Sequence, residues 1–237
     1  MVQICHLPIR YLLSKVTTFA DDTRGGKKRI LALDGGGIRG VFTIEILGRM
    51  EQLLREHFGR PQMVLADHSD LIAGTSTGGI IGSFLSWGEP VDSVRKLYEE
   101  NTGAMFCKAP WWKLRGGLFD AKNLSVFLRE FFVETDGSLS VMGTQRLKTI
   151  MLLVMRNAST GSAWPVTNHP GAKYNTRQRD DGTVNSECNL DFPLWQLVRA
   201  SAWAPVYFPP EEVMLGGKVH SFIDGGITAY NNAALIA

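Results

Sequence analysis

Cysteine is scarce in this chain: Cys5, Cys107 and Cys188 are all it has among 237 residues. Three thiols cannot all pair, and none share the short spacing of a metal site. A disulfide framework and a thiolate metal centre are therefore excluded in favour of free thiols in a reducing compartment. Long apolar runs are missing too, so nothing approaches the ~20 residues that a membrane-spanning helix needs. The first stretch, Met1 to Ala20, is broken by His6, Pro8, Arg10 and Lys15 and makes a poor secretory signal. Without a secretory context, Asn157-Ala158-Ser159 carries no meaning as a glycosylation sequon. Charge of one sign is also lacking: 25 Lys and Arg against 23 Asp and Glu leave +2, too little for a nucleic-acid footprint. The cytoplasm is the expected compartment, with peripheral attachment to membranes. No sequence feature marks an oligomeric state.

What is present is the composition of an ordinary globular core, 44% hydrophobic and 20% charged. Residues 1–28 read as a lead-in that ends in a polar loop. With no internal repeat and no low-complexity linker, residues 29–237 read as one domain, and the alternation along it is that of an α/β protein with a parallel sheet. Strands are expected at 29–33, 71–73, 148–155 and 219–223. Helices are expected at 41–58, 79–87, 91–100, 123–132 and 193–201, with a further helix starting at 231. In the 41–58 helix, Phe42, Ile46, Leu47, Met50, Leu53, Leu54 and Phe58 read as the buried face, opposite Glu45, Arg49, Gln52 and Glu56. The stretch 102–119 mixes Phe106, Trp111, Trp112 and Phe119 with Lys108, Lys113 and Arg115. It suits a surface that meets lipid headgroups or an acyl pocket, and equally a core patch under a loop. Residues 156–189 are polar and read as an extended loop or hairpin excursion.

The chemistry centres on Gly74-Thr75-Ser76-Thr77-Gly78, between an apolar strand and a helix. Gly-x-Ser-x-Gly in that context is the spacing of a nucleophile elbow, in which glycines at 74 and 78 remove side chains that would collide in the sharp turn. Ser76 then stands at a helix N-terminus, which favours developing negative charge. The alternative is a Gly/Ser-rich turn with no chemical role. A serine nucleophile requires a base. Histidine is a poor source of one here, because only His169 and His220 follow Ser76 and neither lies in a motif. Asp224, at the end of the last strand and followed by Gly225 and Gly226, is the better candidate, since open α/β sheets place their reactive groups at strand ends. Its plainer reading is a turn cap. Asp34-Gly35-Gly36-Gly37-Ile38-Arg39-Gly40 also joins strand to helix. It matches the dinucleotide fingerprint Gly-x-Gly-x-x-Gly, but the acidic residue wanted ~20 positions on, at the end of the next strand, is absent. The other reading is an oxyanion hole formed by its free amides. Arg39, a cation at a helix N-terminus, is expected to be offset by Asp34 or by a substrate phosphate.

Together these segments, with Arg199-Ala200-Ser201-Ala202-Trp203-Ala204-Pro205-Val206-Tyr207-Phe208, resemble the patatin family of lipid acyl hydrolases, from about Lys28 to Asn232. The resemblance implies a three-layer α/β/α fold with a mostly parallel central sheet. It implies a Ser–Asp dyad, with Ser76 as nucleophile and Asp224 as base, and the amides of Gly35, Gly36 and Gly37 as oxyanion hole. Asp34, Ile38, Arg39, Gly40, Gly74, Gly78, Gly225 and Gly226 support these groups as motif residues. It also implies a lipid ester substrate taken from a membrane or micelle interface, with no metal and no cofactor. Two departures stand out. Asn231-Asn232-Ala233 occupies the place where the family often has Asn-Pro, and the chain stops eleven residues after Gly226, so a C-terminal truncation is expected. The competing functions are a phosphate- or nucleotide-binding module built on the Gly35–Gly40 turn and a non-catalytic lipid-binding scaffold.

Overall fold

Alternating apolar side chains give the central strands two buried faces, and that alternation organises the molecule. A computed structural model describes residues 28–105, 122–179, 181–202 and 210–237. The lead-in, the side chains of the 102–119 stretch and the segment with Pro205 and Pro209 lie outside the described residues. Strands β1 (Ile30–Leu33), β2 (Leu71–Thr75) and β3 (Ile150–Asn157) run parallel. Strand β4 (Ala163–Thr167) returns antiparallel along β3, and β5 (Glu211–Leu215) and β6 (Lys218–Asp224) form an antiparallel pair that joins β3. The order is β1-β2-β3-β6-β5, with β4 also on β3. This is a mixed sheet with mostly parallel central strands flanked by helices, consistent with the three-layer arrangement.

Six α-helices occur among the described residues: α1 (Gly40–Phe58), α2 (Leu65–His68), α3 (Thr77–Trp87), α4 (Val91–Met105), α5 (Lys122–Phe131) and α6 (Leu194–Ser201). All six contribute to the core on the sheet face that carries Leu33, Ile72, Met151, Leu153 and Met155. The opposite face, with Leu71, Ala73, Ile150, Leu152 and Val154, packs against Tyr230, Ala233 and Ile236. Those three lie in a C-terminal stretch of short 3₁₀ turns, Ala229–Asn231 and Ala233–Leu235. This corrects the α-helix expected from residue 231; the Asn232 side chain accepts the Ala234 amide and caps a single turn. The expected polar excursion contains strand β4, and β5 was not anticipated.

Helix α1 departs from its sequence reading in a consequential way. Its buried residues are Gly40, Ile44, Leu47 and Glu51, whereas Phe42, Ile46, Leu53 and Phe58 are exposed. At ~100° per residue, Phe42, Ile46 and Leu53 lie directly opposite the buried set. The helix is apolar on two sides, and the side with smaller residues faces the core because α3 and α4 approach it closely.

Glu51 sits in the middle of the buried face. Its carboxylate accepts the Leu65 amide at 3.2 Å and the Val91 amide at 3.2 Å, and it pairs with Arg55 at 2.6 Å. One anion thus caps the first turns of α2 and α4, where orphan amides and helix dipoles favour it. Burial pushes its pKa above the ordinary glutamate value, opposed by the Val91 amide and the Arg55 charge. Removing it strands two buried amides and takes from Arg55 its ion-pair partner, so Glu51→Ala is expected to cost about 3 kcal/mol of unfolding free energy, read from urea denaturation, with Glu51→Gln costing less.

Candidate active site

The register around β3 decides which chain ends meet. Val154 pairs with both Thr75 and Pro165, and Met155 pairs with both Trp164 and Asp224. Strand β4 therefore lies along one edge of β3, while β2 and β6 share the other. Because β2 is parallel to β3 and β6 antiparallel, they run toward each other, and their last residues meet where Thr75 faces Val154 and Asp224 faces Met155. The next residue of β2 is Ser76. Its hydroxyl donates to Asp224 Oδ2 at 2.7 Å across a separation of 148 positions. The other carboxylate oxygen, Oδ1, accepts the Gly226 amide at 2.6 Å, which leaves Oδ2 directed at the serine.

Both side chains are buried, Ser76 with 9% and Asp224 with 6% of its surface exposed. Burial drives the Asp224 pKa above the ordinary aspartate value, against the lowering effect of the Ser76 hydroxyl and the Gly226 amide. The ionised carboxylate is thus a stronger base than an aspartate in water.

Ser76 has φ 55° and ψ −128° and is the non-glycine residue with positive φ among the described residues. Such a conformation costs on the order of 1–3 kcal/mol and persists only where the surroundings enforce it. The surroundings here are crowded backbone. A methyl group at Gly74 would overlap the Gly78 carbonyl, and one at Gly78 would overlap the Leu33 carbonyl at the end of β1. Gly225 likewise lies against the Val154 carbonyl. The Ser76 amide donates to Ser201 Oγ at 3.1 Å, and the Ser201 hydroxyl donates to the Val154 carbonyl at 2.7 Å. Thr75 Oγ1 donates to the Tyr230 carbonyl at 2.8 Å, tying the elbow to the C-terminal turns.

The Asp34–Gly40 segment lies against the same elbow. Gly35 abuts Cβ of Ser76 and the side chain of Asn231, and its amide donates to the Asn231 carbonyl at 3.3 Å. The amides of Gly36 and Gly37 have no acceptor among the described residues. The Gly37 carbonyl accepts both Thr77 Oγ1 at 3.0 Å and the Tyr98 hydroxyl at 2.8 Å. Burial pushes the Tyr98 phenol up to about 12, so it remains a donor across the physiological range. Gly40 opens α1 against the methyl group of Thr77. Asp34, Ile38 and Arg39 are exposed. No ion pair joins Arg39 to Asp34 among the described residues. Arg39 instead uses its amide and Nε to hold the Gly36 carbonyl, at 3.2 and 3.4 Å. Both charged groups are in water, where an exposed pair gains little, and a carbonyl in the same turn is closer. By fixing the Gly36 carbonyl, Arg39 also fixes the peptide whose other end is the Gly37 amide.

Neither histidine takes part. His169 Nδ1 accepts the Gly171 amide, and His220 stacks on Phe222 with ring centroids 6.1 Å apart, beside Trp164 and Phe192. No group of three or more metal-ligating side chains occurs among the described residues, and none of their helices is long and apolar enough to cross a membrane. Cys188 is buried and unpaired. Sequence reasoning missed Tyr98, which no motif marks, and the roles of Ser201 and Thr77, which sit within quoted motifs.

A family model for patatin-like phospholipase matches residues 31–237. The chain is 30% identical over 199 residues to a cGAMP-activated phospholipase of Pseudomonas aeruginosa, covering 84% of this chain and 52% of that protein. It is 28% identical over 233 residues to the probable inactive patatin-like protein 9 of Arabidopsis thaliana, covering 94% and 56%. The crystal structure of VipD from Legionella pneumophila aligns at 14% identity with a TM-score of 0.46, over 84% of this chain and 46% of that one. The chain thus spans about half the length of the curated relatives it matches. Since the family match runs unbroken from β1, past Ser76, to Asp224 and the C-terminal turns, the chain belongs to the patatin-like phospholipase family.

Proposed function

We propose that residues 29–237 form the catalytic domain of a serine acyl hydrolase that cleaves ester bonds of phospholipids or related acyl lipids, in the manner of a phospholipase A or lysophospholipase. The observation that carries this reading is the 2.7 Å hydrogen bond from the strained, buried Ser76 to Asp224. Ser76 Oγ attacks the acyl carbonyl carbon while its proton passes to Asp224 Oδ2. The carbonyl oxygen becomes an oxyanion, and the unengaged amides of Gly36 and Gly37 are the donors for it. The Gly35 amide, held by Asn231, keeps the loop in place rather than binding the oxyanion. The tetrahedral intermediate collapses, the ester C–O bond breaks, and Asp224 returns the proton to the leaving alcohol. Asp224 then deprotonates water, which attacks the acyl-enzyme; as the C–Oγ bond breaks, Asp224 returns that proton to Ser76 Oγ, releasing the fatty acid and restoring the ionised carboxylate. Every step uses residues of this chain.

A lipid substrate resides in an aggregate, and the exposed apolar stripe supports capture there. Ile38, 62% exposed, directly follows the oxyanion loop, and Phe42 and Ile46, 68% and 70% exposed, continue it along α1. Exposed apolar side chains at successive turns, starting directly after Gly36 and Gly37, suit a bilayer or micelle. The nucleotide-module reading is weaker, because the Gly35 amide is engaged and Arg39 turns to its own loop. A non-catalytic scaffold is separated by activity alone.

With mixed phospholipid vesicles, Ser76→Ala and Asp224→Asn are each expected to lower fatty-acid release by at least about a thousandfold with the fold intact, whereas His220→Ala retains most of it. A fully active Ser76→Ala protein contradicts the mechanism. The ionised base requires an acid limb in kcat/KM whose midpoint lies above the ordinary aspartate value of 3.8. The same raised pKa makes the carboxylate stabilising below its unfolded value, with that contribution lost as pH rises through the folded one. Asp224→Asn is therefore expected to raise Tm relative to wild type at pH 7, and to lose that advantage in acid. Finally, the double substitution Phe42→Ser and Ile46→Ser is expected to cut vesicle hydrolysis about tenfold or more while leaving a soluble short-chain ester unaffected. Equal losses on both substrates argue against the stripe as a lipid contact.

A further inference from the structure

In a parallel pair, alternate residues of a strand turn their amides to the neighbouring strand, each bonding the carbonyl of the residue before its partner. The Ser76 amide is one that turns toward β3. If β2 continued straight past Thr75, Ser76 would face Met155 and its amide would reach the Val154 carbonyl. Instead the chain turns into α3, Asp224 takes the place opposite Met155, and the amide and the carbonyl are left apart. The Ser201 hydroxyl fills that interval, accepting from the Ser76 amide at 3.1 Å and donating to the Val154 carbonyl at 2.7 Å. It replaces one missing rung of the sheet.

From this arrangement we infer that Ser201 is a positioning residue for the nucleophile: it holds the Ser76 backbone in its positive-φ conformation and so keeps the hydroxyl aimed at Asp224. The inference rests on the catalytic role of Ser76. Three observations carry it. Ser201 is completely buried, so bulk water does not compete for either hydrogen bond of the bridge. The Ser76 amide has one acceptor, and that acceptor is Ser201 Oγ. The last turn of α6, which presents Ser201, is itself pinned, because Arg199 pairs with Glu211, bonds the Ser125 hydroxyl and stacks on Trp195 with its guanidinium carbon 4.8 Å from the ring. A hydroxyl held at both of its hydrogen bonds and carried on an anchored helix end can enforce a strained backbone that a mobile one cannot. The bridge also turns the Ser76 amide toward β3, leaving the amides of Gly36 and Gly37 as the donors for the substrate oxygen.

The test compares wild type, Ser76→Ala, Ser201→Ala, Ser201→Cys and a control, Ser83→Ala. Ser83 is equally buried, but its hydroxyl bonds the Gly79 carbonyl within α3 and does not touch the elbow. The readouts are the second-order rate of fluorophosphonate labelling, kcat and KM on a soluble ester, and Tm. Labelling of wild type but not Ser76→Ala establishes the nucleophile; absence of labelling in wild type overturns the functional reading itself, and the inference with it. Given a labelled wild type, Ser201→Ala is expected to label about 10- to 100-fold more slowly, with the loss in kcat, KM little changed and the acid limb of the pH profile unmoved. Ser83→Ala loses Tm without that loss of reactivity. Ser201→Cys fills nearly the same volume with a poor hydrogen-bonding partner, so it reads the same effect if the alanine protein does not fold. Wild-type labelling rates in a folded Ser201→Ala or Ser201→Cys protein overturn the inference, as does a shifted acid limb, which would place the effect on Asp224.

Discussion

Two strands that run head-on along one edge of β3 impose the constraint on which everything else depends. β2 and β6 cannot overlap there, so each must end where the other begins, and the residues at those ends are pressed together in the interior. Ser76 and Asp224 are in hydrogen-bonding contact because the sheet has no other place for them. The same geometry removes water from both. That loss of hydration raises the affinity of the carboxylate for a proton, and the short contact supplies the proton it would take. In the proposed mechanism the aspartate serves as base to the serine for a reason that lies in strand order rather than in the residue type.

The elbow breaks local rules, and the neighbouring structure compensates. Ser76 occupies a conformation suited to glycine, and three backbone crossings nearby exclude any side chain at 74, 78 and 225. The amide that the turn withdraws from the sheet is recovered through Ser201, and the loop carrying Gly36 and Gly37 is held from behind by Tyr98, Thr77 and Arg39. Strain and polar burial of this kind concentrate where a protein does chemistry. The rest of the core, in which apolar residues alternate cleanly across the sheet, bears the cost.

Local features were legible in the chain and non-local ones were not. Gly74 to Gly78 between an apolar strand and a helix marks an elbow because the turn itself demands those residues, and Asp224 at a strand end marks a candidate base. That the two touch depends on β6 sharing an edge with β2, which no local pattern reveals. Periodicity located α1 within one residue but placed its buried face only in part: Leu47, Met50 and Leu54 pack on the core while Phe42, Ile46, Leu53 and Phe58 do not, since a helix apolar over so wide an arc gives no sign of which part the core will cover. Strand β5 opens on two adjacent carboxylates and carries no apolar run that marks a strand, and Glu211 is buried there only because Arg199 pairs with it. The pairing of Arg39 with Asp34 failed for a related reason: opposite charges close in sequence attract attention, but in water a backbone carbonyl competes with them on equal terms.

The central claim is that Ser76 is the nucleophile and that its reactivity comes from Asp224. Peptide mass spectrometry after brief exposure to a fluorophosphonate at neutral pH, on wild type and Asp224→Asn in parallel, tests it most directly. The account expects a single adduct on the peptide containing Ser76 in wild type, and labelling slower by orders of magnitude in the folded asparagine protein. An adduct on a different residue, or equal labelling of Ser76 in both proteins, contradicts it.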